Sequence, residues 1–281
     1  MSKTVLITGA SSGFGLLTAV TLAKRGWRVI ATMRHLDRRD RLDAAAIATS
    51  VSERIEVKAL DVTNDEQISS LVSELEARSL SLDALVNNAG FAMAGFAEDV
   101  SSAELRKQFD TNFFGTVAVT RAFLPQFRRQ RSGHIVTVSS ISGRLGYPGV
   151  GSYSASKFAL EGWTETLRYE LKALGIKVVL VEPGAFATDI WTRNADMAVS
   201  ALDVASPNAV RMADFRKRVA TDKRRADPQV VANVIAAILE NPQPRLRYLV
   251  GKDAKIGLTM HRLLPRALFE RLILKSTGMD R

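Results

Sequence analysis

A tyrosine and a lysine four residues apart, Tyr153 and Lys157, could carry acid–base chemistry in this 281-residue sequence. If the stretch is helical, the two side chains share one face and the ammonium lies near the phenol. A free tyrosine has a pKa of about 10, and a nearby positive charge lowers such a pKa by about 1–3 units. The pair could therefore give a proton to a carbonyl oxygen or take one from a hydroxyl group.

A glycine-rich turn near the N-terminus has the composition of a phosphate-binding loop. The turn consists of Gly9, Ala10, Ser11, Ser12, Gly13, Phe14 and Gly15. Small residues let the backbone approach a pyrophosphate, whose charge is met by N–H groups and by the helix dipole. A turn that serves packing alone is the alternative. Its position between a strand-like run and a helical pattern favours nucleotide binding.

The end of the second strand-like run indicates which dinucleotide would bind. An NAD site usually has an acidic residue there, which bonds the ribose 2′-hydroxyl. Residues 31–34 contain no acid and end in Arg34, and arginine can hold a 2′-phosphate through charge-assisted hydrogen bonds. NADP(H) is therefore favoured over NAD(H). Arg38, Arg39 and Arg41 alternate with acidic residues and are interpreted as a mixed, solvated helix face.

The elements that would position these groups alternate between strand and helix. Strands are expected at 4–8, 28–33, 54–59, 82–87, 134–139, 176–182 and 245–250. Helices are expected at 14–25, 64–78, 102–130, 152–173 and 228–240, with Asn64 and Ser101 as N-caps. This alternation predicts an α/β fold: one Rossmann-type domain over 1–253, with a doubly wound parallel sheet of about seven strands and helices on both faces.

Several short motifs follow the predicted strands in a set order. They are Asn87-Asn88-Ala89-Gly90, Asn112, Ser140, the Tyr153–Lys157 pair, Pro183-Gly184 and Thr188. Together with the glycine turn, this set resembles the short-chain dehydrogenase/reductase family in its compact single-domain branch. The resemblance covers residues 3–190 and extends more loosely to about residue 250.

The resemblance implies an enzyme that moves a hydride between a CH–OH group and NAD(P). It implies four catalytic residues: Asn112, Ser140, Tyr153 and Lys157. Tyr153 would act as general acid/base, Ser140 would bond the substrate oxygen, Lys157 would hold the nicotinamide ribose, and Asn112 would anchor a water.

Further cofactor contacts are implied in the same way. Asp61 and Val62 would meet the adenine. Asn88, Ala89 and Gly90 would pass the adenosine ribose, and Pro183, Gly184, Phe186 and Thr188 would fix the carboxamide. Alternatives stay open at three positions, because Asn87 and Gly90 could serve to hold a turn and Asp61 could be a helix N-cap.

Residues 189–226 lack a strand pattern and are expected to form a lid over the substrate. Apolar side chains there are Ile190, Trp191, Met197, Leu202, Val204, Met212 and Phe215. Tyr147, Pro148 and Val150 are expected to line the same cavity. These residues favour a hydrophobic secondary alcohol or ketone, such as a steroid, retinoid or other lipid-like carbonyl. Packing of the lid onto the body is the alternative role for each side chain.

The formal net charge of +10 is unevenly distributed, since residues 204–281 carry 16 basic and 7 acidic side chains. Residues 254–281 form a basic, leucine-bearing tail with Pro265 at a predicted helix N1 position. The tail could dock on the subunit body or on a partner subunit, or it could contact anionic lipid. Nucleic-acid binding is not expected, because no binding motif accompanies the charge.

Other features exclude several classes of protein. The absence of cysteine removes disulfides and thiol nucleophiles, and the three histidines are scattered, so no metal site is expected. No run of 18 apolar residues or signal-peptide core is present, which predicts a cytoplasmic protein. The family resemblance implies a homodimer or homotetramer.

Two other functions are compatible with a nucleotide-binding fold of this kind. A non-catalytic NADP(H)-binding redox sensor is the main alternative, and the complete set of four catalytic residues argues against it. A nucleotide-sugar epimerase or dehydratase is disfavoured by the short C-terminal part.

Overall fold

The computed structural model describes residues 2–191, 194–221 and 225–280. Its strands are β1 Thr4–Ile7, β2 Arg28–Met33, β3 Ile55–Ala59, β4 Ala84–Asn87, β5 Ala92–Ala94, β6 His134–Val138, β7 Lys177–Pro183, β8 Ala195–Met197 and β9 Arg247–Val250. Its α-helices are α1 Gly13–Lys24, α2 Asp40–Ala48, α3 Asp65–Ala77, α4 Ser102–Phe109, α5 Gly115–Gln130, α6 Gly151–Lys172, α7 Ala209–Thr221, α8 Gln229–Glu240, α9 Lys252–Leu263 and α10 Arg266–Thr277.

Seven strands form one parallel sheet in the order β3-β2-β1-β4-β6-β7-β9. Each lies within two residues of its predicted bounds, so the predicted doubly wound sheet is confirmed. The chain moves outward from β1 to β3 and then returns to place β4 on the other side of β1. Such a reversal opens a crevice at the carboxyl ends of the two strands.

Both faces of the sheet are covered by helices, because successive strand residues point to opposite sides. Val5 and Ile7 pack in one buried cluster with side chains of α1, α2 and α8. Leu6, between them, packs in a second cluster with side chains of α3, α5 and α6. The strands are therefore apolar on both faces, as parallel strands between two helical layers are.

The helix ends follow the capping signals of the sequence. Asn64 accepts a hydrogen bond from the backbone N–H of Gln67 at the start of α3. Ser101 and Glu104 form a capping box at the start of α4. Pro265 is the N-cap of α10 and not its first helical residue, so the predicted N1 position was wrong by one.

Two local features differ from the sequence prediction. The single helix expected over 102–130 is interrupted at Asp110–Phe114 by a π-helical turn, which separates α4 from α5. The expectation of no strand in 189–226 was wrong, since β8 pairs with β5 in a small parallel sheet. Each of these two strands has three residues and lacks β-branched side chains, so neither carries a strand pattern.

The C-terminal helices pack on the body beside the loop that follows β6. Ala254 and Leu258 of α9 form a buried cluster with Ile141 and Leu145, and Phe269 of α10 packs against it. In the described ranges, no helix is both long and apolar enough to cross a bilayer.

Candidate active site

A cleft of about 560 Å³ opens at the carboxyl ends of the central strands. Among the residues predicted to bind the cofactor or act in catalysis, all line this cleft except Gly15 and Asn112. The predicted residues in its wall are Gly9, Ser11, Ser12, Gly13, Phe14, Arg34, Asp61, Val62, Asn88, Ala89, Gly90, Ser140, Tyr153, Lys157, Pro183, Gly184, Phe186 and Thr188. The fold thus gathers groups that lie up to 179 residues apart in the sequence.

The glycine turn joins β1 to α1 along one wall of the cleft. Gly9 and Gly13 have φ angles of +68° and +53°, in the left-handed region that favours glycine. Gly15 lies behind the turn, where a Cβ would come 2.3 Å from the Gly9 carbonyl oxygen. Gly15 therefore serves the close packing of helix on strand, while Gly9, Ser11, Ser12, Gly13 and Phe14 face the cleft.

The Asn88 side chain fastens the end of β4 to this turn. Its Nδ2 donates to the carbonyl oxygens of Thr8 and Gly9, each at 3.0 Å. The Thr8 hydroxyl in return accepts from the backbone N–H groups of Asn88 and Ala89. The turn-holding role that the sequence left open for Asn87 is carried by Asn88, since Asn87 donates instead to Thr120.

Two arginines from the segment after β2 line the cleft. Arg34 is exposed, and its Nε donates to the His35 ring at 3.0 Å. Arg38 is exposed, in keeping with its interpretation as part of a solvated helix face, and it also lines the cleft. Arg39 and Arg41 differ, because they pair with Asp43 at 2.6 Å and Asp189 at 2.5 Å. The spacing of the arginines in the sequence does not show which of them line the cleft. That depends on the three-residue helical turn at Leu36–Arg38.

Tyr153 and Lys157 lie on the first turns of α6 and are both buried. The Lys157 ammonium donates to the Val138 carbonyl oxygen at 2.9 Å and lies 5.7 Å from the Tyr153 ring centre. Ser140 follows β6 and hydrogen-bonds Tyr153. Ser139 and Ser142 also line the cleft, and the bond to Tyr153 distinguishes Ser140 from both.

Burial controls the protonation of this pair. It raises the pKa of the Tyr153 phenol to about 12, with the Ser140 hydrogen bond acting in the opposite direction. It lowers the pKa of the Lys157 ammonium to about 8, with the negative charge of Glu161 acting against the fall. Burial thus keeps Tyr153 protonated at neutral pH, in the form that can donate a proton.

Asn112 lies in the π-helical turn and is fully buried, outside the cleft wall. Its Oδ1 accepts from the Phe91 N–H at 3.1 Å, and its Nδ2 donates to the Phe91 carbonyl and to the Ser156 hydroxyl. A Cβ on Gly90 would come 3.1 Å from Asn112 Oδ1 and 3.9 Å from Lys157 Nζ. Asn112 therefore braces the backbone beside Lys157.

Asp61 lies in the cleft wall, and its side chain stabilises the turn at residues 61–63. Its carboxylate accepts from the N–H and hydroxyl of Thr63 at 3.0 and 2.7 Å. The N-cap of the following helix is Asn64, so the alternative of Asp61 as a helix N-cap was wrong.

The substrate end of the cleft contains part of the expected apolar lining. Tyr147 and Ile190 are in the wall, and Val150 and Phe215 pack with them around Tyr153. Leu202 and Val204 were wrongly expected in the cavity, because they point to solvent with 54% and 92% of their surface exposed. Met212 is buried inside the lid itself, against Met93 and Ala201. The side chain of Trp191 lies outside the described residues.

Sequence reasoning missed several residues of the wall that come from distant segments. Asp253 at the start of α9 and the ion pair of Lys107 with Asp196 are the clearest cases. No motif surrounds them, and only the tertiary fold brings them to the cleft. Within the described ranges, no group of three or more His, Asp or Glu side chains is placed to hold a metal ion.

Comparison with known proteins gives a consistent result. The family model described as short chain dehydrogenase matches residues 3–198. The uncharacterized oxidoreductase YusZ of Bacillus subtilis is 40% identical over 97% of this chain and 98% of its own length. Human retinol dehydrogenase 8 is 37% identical over 87% of this chain and 80% of its own length.

Solved structures agree with these relatives. A short-chain dehydrogenase from Streptomyces avermitilis superposes with a TM-score of 0.83 at 36% identity, covering 100% of both chains. ElxO with NADP bound superposes with a TM-score of 0.72 at 26% identity, covering 89% of this chain and 96% of the other. The second of these holds its nicotinamide dinucleotide on a fold of the same class.

Proposed function

The chain belongs to the short-chain dehydrogenase/reductase family, and on that basis we propose that it is an NADP(H)-dependent oxidoreductase. It would interconvert a hydrophobic secondary alcohol and its ketone. The observation that carries this proposal is the arrangement of one cleft: Ser140, Tyr153 and Lys157 lie at its substrate end, and Arg34 and Arg38 lie at the end formed by the segment after β2.

The residues present fit a nicotinamide dinucleotide. A cleft of about 560 Å³ lies within the usual range for ligand sites. The glycine turn leaves the start of α1 free of large side chains, where helix N–H groups and the helix dipole favour a phosphate. Arg34 and Arg38 supply positive charge beyond it. The preference for NADP(H) rests on these two side chains and on the lack of an acidic residue at the end of β2.

The catalytic roles follow from the protonation states. When bound, the cofactor supplies or accepts the hydride. In the direction of reduction, protonated Tyr153 would donate its proton to the carbonyl oxygen, and Ser140 would stabilise the charge that develops there. Lys157 would hold the ribose hydroxyls and place a positive charge near the phenol. In oxidation Tyr153 must lose its proton first, which the positive charges of Lys157 and of the oxidised ring favour.

Asn112 keeps a proposed role in the proton path. Its side chain holds the backbone next to Gly90 and Lys157 in place, and the family resemblance supplies the proposal that a water binds at this position. Asp61, Val62 and Asn88 to Gly90 would contact the adenosine part, and Pro183, Gly184, Phe186 and Thr188 the carboxamide.

A hydrophobic substrate is supported by the lining near Tyr153. Tyr147, Ile190, Val150 and Phe215 surround the phenol. Human retinol dehydrogenase 8, one of the relatives, is named for a lipid-like alcohol. Steroid, retinoid and other lipid-like carbonyl compounds are therefore the class to examine first, with residues 189–226 as the lid.

A homodimer or homotetramer is part of the proposal. Phe114, Phe158 and Tyr169 are large side chains left exposed on α6 and on the π-helical turn before α5, the surfaces through which many family members associate. Light scattering coupled to gel filtration tests this directly.

A cytoplasmic location and a peripheral membrane contact of the tail at 254–281 also remain predictions. Liposome co-sedimentation with and without the tail tests the latter.

The function is tested by measuring NADPH and NADH binding by fluorescence and then screening ketones and alcohols by cofactor absorbance. We expect tighter binding of NADPH and turnover of apolar carbonyl compounds. Tight NADPH binding with no turnover across a broad screen would favour the non-catalytic redox sensor instead.

A further inference from the structure

A cluster of buried charges adjoins Lys157 without lining the cleft. Glu161 follows Lys157 by one turn of α6, and Glu182 stands next to the last residue of β7. Only 5% of the surface of Glu161 and 1% of that of Glu182 is exposed. Carboxylates buried to this extent require opposite charges nearby.

Two arginines supply those charges. Arg247 of β9 lies 3.1 Å from Glu161 and 3.2 Å from Glu182. Arg144, in the loop after Ser140, lies 3.0 Å from Glu182. Arg247 also pairs with Glu165 at the surface, at 2.9 Å. Counted with Lys157, the cluster has three positive and three negative groups and is electrically balanced.

The cluster connects the segments that carry the proposed active site. A Cβ on Gly143 would come 2.9 Å from the Ser139 hydroxyl, 3.0 Å from Glu161 Cγ and 3.0 Å from the Lys157 carbonyl oxygen. The loop after β6 therefore packs directly on the turn of α6 that holds Lys157 and Glu161. Glu182 is followed at once by Pro183 and Gly184 of the cleft wall.

We propose that Glu161 is a positioning residue that keeps the buried ammonium of Lys157 protonated through the neutral pH range. This inference rests on the proposed function, because it takes Lys157 as the group that holds the cofactor ribose. Lys157 itself donates to a neutral carbonyl oxygen. In the described part of the chain, no carboxylate forms an ion pair with it. The charge of Glu161, one turn away, is therefore the one that opposes the cost of burying the ammonium.

The pKa of Glu161 lies just below that of Lys157. Burial and the negative charge of Glu182 raise the pKa of Glu161 to about 7, with Ser139 and Arg247 acting in the opposite direction. The groups that face it are Lys157 and Glu165 on α6, Glu182 on β7, Arg247 on β9, and Ser139 and Arg144 from the loop after β6. Glu161 thus gains its negative charge as the pH rises toward the range in which Lys157 loses its proton.

NADPH binding as a function of pH tests this role without requiring turnover. Wild-type protein should bind NADPH less tightly as the pH rises above about 8, and the alkaline limb of kcat for reduction should follow. Glu161→Gln should move both limbs to lower pH by about 1–2 units, the range expected for loss of one nearby opposite charge. At pH 6 the affinities should agree within about two-fold, because a shift of this size leaves at least half of Lys157 protonated in the variant.

Glu165→Gln is the matched control. It removes a carboxylate from the same Arg247, on the same helix, at a site further from Lys157. The alkaline limbs of its NADPH affinity and of its kcat should coincide with those of the wild type. If Glu161→Gln lowers the thermal stability but leaves its limb where the wild type has it, Glu161 is structural only and the inference is wrong.

A charge-retaining variant covers the case in which Glu161→Gln does not fold. Glu161→Asp keeps the charge but withdraws it by one methylene, so a smaller shift in the same direction is expected. An unshifted limb in this variant contradicts the inference. Failure of the two proposals is distinguishable: a wild-type protein that binds no NADPH at any pH contradicts the proposed function, whereas binding with unshifted limbs contradicts only the role of Glu161.

Discussion

The carboxylate of Asp253 accepts a hydrogen bond of 2.7 Å from the backbone N–H of Ala185. This bond ties the first turn of α9 to the loop after β7. The same carboxylate covers Gly184, where a Cβ would lie 2.4 Å from its Oδ1. Helix α9 therefore crosses the predicted boundary at residue 253 and helps to build the wall of the cleft.

Replacing Asp253 with Ala should loosen the loop at 183–186 and weaken NADPH binding about 10-fold. A hydrogen bond to a charged group contributes about 1.5–3 kcal/mol, and the low end applies because Asp253 is exposed. Fluorescence titration measures the change. Lys252→Ala, on the neighbouring exposed residue, should leave the affinity unaltered. Equal affinities for all three proteins would show that the bond to Ala185 does not support the cofactor.

Replacing Tyr153 with Phe should reduce kcat by about 10²- to 10⁴-fold, the usual contribution of general acid–base catalysis. The ring remains, so NADPH should bind with nearly the wild-type affinity. Steady-state kinetics and fluorescence titration measure the two properties separately. A Phe variant with wild-type kcat would contradict the assignment of Tyr153.

Replacing Arg34 with Asp should weaken NADPH binding about 10- to 100-fold and affect NADH less. The expected size corresponds to the loss of one charge-assisted hydrogen bond of about 1.5–3 kcal/mol. Arg39→Asp is the control, because Arg39 pairs with Asp43 and is not in the cleft wall. Equal losses for both cofactors would contradict the binding of a 2′-phosphate by Arg34.

Truncation of Leu258 tests whether the tail is part of the folded body. This side chain is buried against Ile141 and Leu145, and Leu258→Ala should cost about 2–5 kcal/mol of unfolding free energy. Leu263→Ala, on the same helix but 76% exposed, should stay within about 0.5 kcal/mol of the wild type. Denaturant titration distinguishes the two. Equal small effects would mean that α9 is only loosely attached.

Glu161 should make the stability depend on pH near neutrality. Its pKa is raised to about 7 in the folded protein, from about 4.3 in an unfolded chain. Between these values the folded state binds more protons, so this group lowers the stability as the pH rises from about 4.5 to 7. Glu161→Gln cannot titrate and should reduce that slope. Melting temperatures measured from pH 5 to 8 test this, and parallel curves for the two proteins would contradict it.

The sheet and most of the cleft could be predicted because their signals are local. Each core strand is a short apolar run, and each cleft motif follows the end of a strand. The carboxyl ends of parallel strands lie at one edge of the sheet, so the motifs meet there. The distinction between Arg38 and Arg39 could not be predicted, because it depends on the direction of a three-residue helical turn. Asp253 and Asp196 could not be predicted either, since both reach the cleft through tertiary contacts from segments without a motif.

The π-helical turn at Asp110–Phe114 makes this part of the chain sensitive to a change of length. Two buried amide side chains, one before the turn and one within it, bond the same backbone segment: Gln108 bonds Met93 N–H and Phe91 carbonyl, and Asn112 bonds Phe91 N–H. Each residue of an α-helix advances the chain by about 100° around its axis, and the π turn contains one residue more than an α turn. Deleting one residue between 110 and 114 would restore a regular helix but rotate Gln108 away from its partners. A family member with a gap there would need a different way to hold the strand at residue 93.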